Sequence, residues 1–125
     1  MKKVRLGVLQ LKIMNVLWEQ GPATVAEVQE RLVDGAELAY TTIATMLRKM
    51  EVRGLVKHRS EGRRFIYRAG VEPEAVSRTM VDDLIDRVFG GSLADAVSHL
   101  LETRDVSRDE LRQLEKLIQQ RKQQR

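Results

Sequence analysis

Cysteine is absent from the chain, so disulfide bonds, thiolate metal centres and cysteine nucleophiles are all excluded, while the redox compartment is left open. Histidine occurs twice, as His58 and His99, and neither has a metal-ligand spacing or a nucleophile motif around it. Aromatic residues are scarce, with one Trp, two Tyr and two Phe. A small domain with so few needs them in its core, so Phe65 and Tyr67 are expected to pack beneath a surface element rather than to stack on a ligand. Long apolar runs are also missing. The opening "MKKVRLGVLQL" resembles a signal peptide only briefly, because Gln10, Lys12 and Asn15 interrupt it, and no stretch reaches bilayer-spanning length. A cytoplasmic protein without membrane insertion is expected.

What is present is ordinary in amount and uneven in placement. The 125 residues are 42% hydrophobic, enough for one domain or one small domain with an appendage. The net charge is +4, yet residues 1–68 carry 13 basic and 7 acidic side chains, and residues 69–125 carry 9 and 11. The positive field belongs to the N-terminal part, which points to a polyanionic partner there and a different task for the remainder.

Local signals divide the chain into short elements. Leu11, Met14, Leu17 and Trp18 mark an amphipathic helix over Val8–Glu19, ended by "EQGP". Thr24 and Glu27 have capping-box spacing and open a second helix to about Leu32, before a turn at "DGAE". A third helix starts at Tyr40 and ends near Gly54. "LVKHR" and "RRFIYR", separated by Ser60, Glu61 and Gly62, read as a β-hairpin. Three short helices and a hairpin make a winged helix-turn-helix. After Tyr67, Pro73 begins a helix with Val76, Met80, Leu84 and Val88 on one face, closed by Gly90 and Gly91. Ser92 with Asp95 and Ser107 with Glu110 open two more, and the terminal "QQRKQQR" is expected to fray. The expected fold is mainly α with a small β-hairpin wing: residues 1–70 form a winged-helix DNA-binding domain and residues 71–125 a three-helix C-terminal dimerisation region.

The third helix carries the chemistry. With Thr41 at zero and roughly 100° per residue, Met46, Met50, Ile43 and Leu47 fall between about 140° and 240°, whereas Arg48, Thr41, Thr45, Lys49 and Thr42 fall between about -20° and 100°. Threonine is a poor helix former, so three on one face need a reason. Short hydroxyl side chains let a helix approach DNA closely, and Arg or Lys reads guanine. A solvated surface face would look much the same on the wheel. The neighbouring segment shifts the balance toward DNA: Arg53, Lys57, Arg59, Arg63, Arg64 and Arg68 oppose one acid, Glu61. Groove reading is assigned to Thr41, Thr42, Thr45 and Arg48, and phosphate anchoring to Lys49, Lys57, Arg59, Arg63 and Arg64. His58 is expected to touch phosphate, and His99 to lie at a helix surface or dimer contact.

The C-terminal helices are too short to bury their apolar faces alone. Val81, Leu84, Ile85, Val88, Leu93, Val97, Leu100, Leu101, Leu111, Leu114, Leu117 and Ile118 are therefore assigned to a homodimer interface, whose symmetry would present two reading helices to a palindrome. Asp82, Asp83 and Asp86 share one helical turn and are read as a solvated face, not a cation site. No catalytic motif, metal site or cofactor-binding signature is found, so no enzyme and no cofactor are expected.

The segments "LGVLQLKIMNVLWEQGPATVAEVQERL", "YTTIATMLRKMEVRGLV", "GRRFIYRAG" and "FGGSLADAVSHLLE" resemble the penicillinase-repressor (BlaI/MecI) family of bacterial transcription regulators, with copper-responsive relatives. The resemblance implies a homodimeric winged-helix repressor on a palindromic promoter operator in double-stranded DNA. Its recognition-helix motif falls on Thr41, Thr42, Thr45 and Arg48 and its basic wing on Arg63 and Arg64. It also implies a membrane receptor protease as partner, cutting at an Asn-Phe pair; the matching positions are His99 and Leu100, a departure from that pattern. The cysteine pairs of the copper-sensing relatives have no counterpart. Two other readings compete: a winged-helix protein-interaction module, and a small-molecule-responsive regulator with a ligand site at the dimer interface.

Overall fold

A computed structural model of the chain describes residues 6–32 and 38–124. Helix α1 spans Val8–Gln20, and a two-residue strand β1, Ala23–Thr24, leads directly into α2, Val25–Arg31. The capping box at the start of α2 is fully formed: the Glu27 N–H donates to Thr24 Oγ1 at 3.2 Å, and the Thr24 N–H to Glu27 Oε1 at 2.9 Å. The turn expected at "DGAE" lies outside the described residues. Helix α3, Tyr40–Val52, follows, and then the hairpin of β2, Val56–Glu61, and β3, Arg64–Ala69.

The sheet has three strands in the order β1-β3-β2, all antiparallel, with Ala23 opposite Tyr67 and Thr24 opposite Ile66. Strand β1 was not anticipated: two residues are too few for a period, and their partner lies far along the chain. The hairpin turn is Gly62–Arg63, shorter than expected, because Ser60 and Glu61 pair with Phe65 and Arg64 as strand residues.

Beneath these elements lies one core. Ile13, Met14, Val28, Ile43, Leu47, Met50 and Val56 are completely buried and Tyr67 nearly so. Within α1 the buried set is Ile13, Met14, Val16 and Leu17, broader than the stripe expected, because α1 packs against both α2 and β3. Leu11 and Trp18 are half-buried, and the Trp18 indole N–H donates to the Val71 carbonyl at 3.0 Å.

Helix α3 ends in a Schellman turn. The Leu55 N–H reaches back to the Met50 carbonyl at 3.0 Å and the Gly54 N–H to that of Glu51 at 2.9 Å. This closure puts Gly54 at φ 79°, where a Cβ would be strained. Only Arg53–Leu55 separate α3 from β2, so the wing starts at a sharp corner held by buried Leu55 and Val56.

Two compact units divide the chain, Met1–Asp82 and Asp83–Arg125, with the dividing line inside helix α4, Pro73–Phe89. Val76, in the first turns of α4, is fully buried. Helix α5, Leu93–Thr103, begins at Ser92, whose Oγ accepts the Asp95 N–H at 3.0 Å. Helix α6, Arg108–Gln123, begins at Ser107, which accepts the Glu110 N–H at 3.1 Å. The tail expected to fray remains helical to Gln123.

Candidate nucleic-acid interface

Helix α3 separates its two faces cleanly. Ile43, Leu47 and Met50 are fully buried, while Thr41, Thr42, Thr45, Arg48 and Lys49 are all exposed. The core thus anchors the helix from behind and leaves a front of short hydroxyls and cations in water. Arg48 Nη2 rests 3.4 Å from Thr45 Oγ1, a long contact that leaves the guanidinium free to be redirected.

On the wing, Lys57, Arg59, Arg63 and Arg64 are exposed. Cross-strand pairing of Lys57 with Arg68 and of Glu61 with Arg64, together with the two-residue strand period, puts Lys57, Arg59, Glu61, Arg64 and Arg68 on one side of the hairpin. His58, Phe65 and Tyr67 share the other. Arg63 stands in the turn itself. Arg59 sits within β2. Glu61 holds Arg59 at 2.8 Å and Arg64 at 3.4 Å, exposed ion pairs of small net worth that phosphates can replace.

Between α3 and the wing runs a cleft of about 550 Å³. Arg48 projects into it from α3, and Arg63 and Arg64 from the wing, so three assigned residues converge on one space. Tyr40 and Phe65, 52% and 46% exposed, line the same cleft and were not assigned to the site. Tyr67 is buried as expected, but Phe65 is not: it stacks on His58 with ring centroids 4.2 Å apart. His58 is likewise engaged from within the protein, since its Nδ1 lies 2.7 Å from both carboxylate oxygens of Glu51. Glu51 belongs to α3 and His58 to β2, so neither the helical nor the strand period brings the two together; the corner between the elements does.

Glu27 closes the α2 side of the cleft. Its hydrogen bonds from the Thr24 backbone and hydroxyl, with the Arg31 and Arg64 charges, hold its carboxyl below the ordinary 4.5. Burial pushes the Tyr67 phenol above its usual 10.0, and the nearby Glu51 charge adds to the effect.

The residues assigned to a dimer interface are nowhere buried. Val81, Leu84, Val88, Leu93, Leu100, Leu101, Leu111, Leu117 and Ile118 are exposed, and Ile85, Val97 and Leu114 are half-buried. Among the described residues of the second unit only Ala96 is buried. His99 is exposed on α5 with its ring 5.7 Å from that of Phe89. Asp83 pairs with Arg87 at 3.0 Å, and no cluster suited to a metal ion occurs among the described residues. Among those residues, no helix is long and apolar enough to cross a membrane.

A helix with a polar, cationic front, backed by a three-helix core and flanked by a basic two-stranded wing, defines the winged helix-turn-helix class of DNA-binding domains. Residues 6–120 match the family model described as penicillinase repressor, and the chain belongs to that family. It is 26% identical over 123 residues to the penicillinase repressor of Bacillus licheniformis, covering 98% of this chain and 96% of that protein. To the transcriptional regulator BlaI of Mycobacterium tuberculosis it is 36% identical over 104 residues, covering 81% of this chain and 75% of that one. The solution structure of the DNA-binding domain of the repressor BlaI matches with a TM-score of 0.52 at 27% identity, over 59% of this chain and 90% of that domain.

Proposed function

We propose that the chain is a homodimeric, sequence-specific transcriptional repressor that occupies a palindromic operator in a bacterial promoter and works in the cytoplasm. Residues 1–70 bind DNA and residues 71–125 form the helical dimerisation region. The observation that carries this reading is the front of α3: Thr41, Thr42, Thr45, Arg48 and Lys49 are exposed over a fully buried Ile43, Leu47 and Met50, beside the cleft shared with Arg63 and Arg64. Family membership supports the same function, and the exposed apolar faces of the C-terminal helices support pairing of two chains. Release by a receptor protease forms no part of the proposal, because His99 and Leu100 stand where the scissile Asn-Phe pair would be.

Selection of bound duplexes from random DNA tests the proposal directly. The expected product is a palindrome with half-sites about one helical turn apart, or a multiple of it. Recovery of no motif, with salt-sensitive retention on any DNA, would favour an interaction module that binds DNA only through charge. A motif recovered only in the presence of an added metabolite would favour a ligand-responsive regulator.

A further inference from the structure

Glu51 is the one acidic residue in the last turn of α3, and it stands on the helix face that includes Ala44 and Arg48, seven and three residues earlier. Both of those line the cleft. A carboxylate there faces the side on which phosphates would arrive, so electrostatics alone makes its removal favourable to DNA binding. Its contacts show a different use. Glu51 Oε2 accepts the His58 backbone N–H at 3.2 Å, and both oxygens lie 2.7 Å from His58 Nδ1. The imidazole stacks on Phe65 at 4.2 Å and 24°, and sits 5.6 Å from the ring of Tyr67. One carboxylate on the reading helix therefore grips β2 at His58, whose ring in turn stacks on Phe65 of β3, with the two ionisable side chains only 30% and 31% exposed.

The wing leaves α3 through the corner at Gly54 and is rooted there by buried Leu55 and Val56. Beyond the root, Lys57 and Arg59 to Phe65 are exposed, so the hairpin is a lever projecting from its base. A clamp part-way along it sets its angle.

We propose that Glu51 is a positioning residue for DNA binding, which by holding His58 fixes the distance between the reading face of α3 and the cations of the wing. The proposal rests on the DNA-binding function set out above. With the gap fixed, Thr41–Arg48 and Arg63 with Arg64 engage one duplex in a single register; without it, each still meets DNA, but not both in the register that the preferred sequence requires.

The test titrates two duplexes, one selected from random DNA by the wild-type protein and one of unrelated sequence. The proteins are the full chain as wild type, Glu51→Ala, His58→Ala, the double variant and Glu51→Gln, with thermal unfolding measured on each. Glu51→Ala and His58→Ala should each weaken the selected duplex about tenfold, and the double variant should lose no more than either single, as expected for residues that act as a unit. The unrelated duplex should be bound as well as before or slightly better. Glu51→Gln, which keeps the side-chain volume and one acceptor oxygen, should lower the ratio of selected to unrelated affinity about threefold, and it decides the matter if an alanine variant unfolds. Wild-type or tighter binding of the selected duplex by Glu51→Ala, additive losses in the double variant, or an unchanged ratio in a folded Glu51→Gln would each overturn the clamp alone. A wild-type protein that selects no sequence would overturn the DNA-reading function as well, so the two failures are distinct.

Discussion

Thr41, Thr42 and Thr45 lose rotamer freedom inside α3 and gain no packing in return, since all are exposed. Arg48, on the same front, carries the guanidinium fork suited to a guanine edge. In the proposed complex Thr42 and Arg48 face base edges, so replacement of either by alanine should shift base preference by about 1–3 kcal/mol at one position. Arg63 and Arg64 meet the backbone in the proposed complex, and their double alanine variant should weaken all duplexes alike and flatten the salt dependence by about one unit of slope per lost contact. Competition titrations against a set of single-base operator variants separate the two patterns.

Glu27 adds a pH-dependent contribution at the same scale. Its folded-state carboxyl lies below the ordinary value, so the stability it supplies is present above that value and disappears as pH falls through the lowered one. Thermal unfolding of wild type and Glu27→Gln should differ most near neutral pH and converge as pH falls below the lowered carboxyl value.

Short elements in this chain are closed by side chains and turns whose signals lie within a few residues of one another. Thr24 with Glu27, Ser92 and Ser107 all cap the helices they were expected to open. Gly54 ends α3 in the left-handed conformation, and Gly54→Ala should cost about 1–2 kcal/mol in denaturant unfolding. Gly70 is constrained differently. Its N–H donates to the Leu55 carbonyl at 2.8 Å, and a Cβ there would stand 2.8 Å from the Gly54 carbonyl oxygen, so the end of β3 is pressed against the root of β2. Gly70→Ala should destabilise the folded chain by about 1–3 kcal/mol, because the obstacle is backbone and not a side chain able to swing away. The hairpin itself was legible from its two strand-like segments; which side each residue takes follows from the observed register. A two-residue strand period sends Lys57, Arg59 and Arg64 to one side and His58, Phe65 and Tyr67 to the other.

Taken one at a time, the two units differ in surface chemistry. The first encloses a core and displays cations, whereas the second leaves Leu93, Leu117 and Ile118 more than half exposed. If the proposed dimer forms through these faces, Leu117→Asp should shift sedimentation toward monomer and lower operator affinity together, since one half-site alone retains only part of the contacts. If the dimer neutralises on the order of eight phosphates, affinity should fall roughly 10³- to 10⁵-fold between about 50 and 200 mM salt. Filter binding across that range measures the slope.

Helix positions, caps, the hairpin and the polar front of α3 were determined by the sequence itself, because each depends on residues a few positions apart, within reach of helical and strand periods. Only the tertiary structure decided which distant residues meet. It paired β1 with β3, drew Arg48 and Arg63 to one cleft, left Phe65 uncovered, and set Glu51 against His58. Those contacts arise from how α3, the corner at Gly54 and the hairpin pack on a shared core, and no local period records the angle at which packed elements meet.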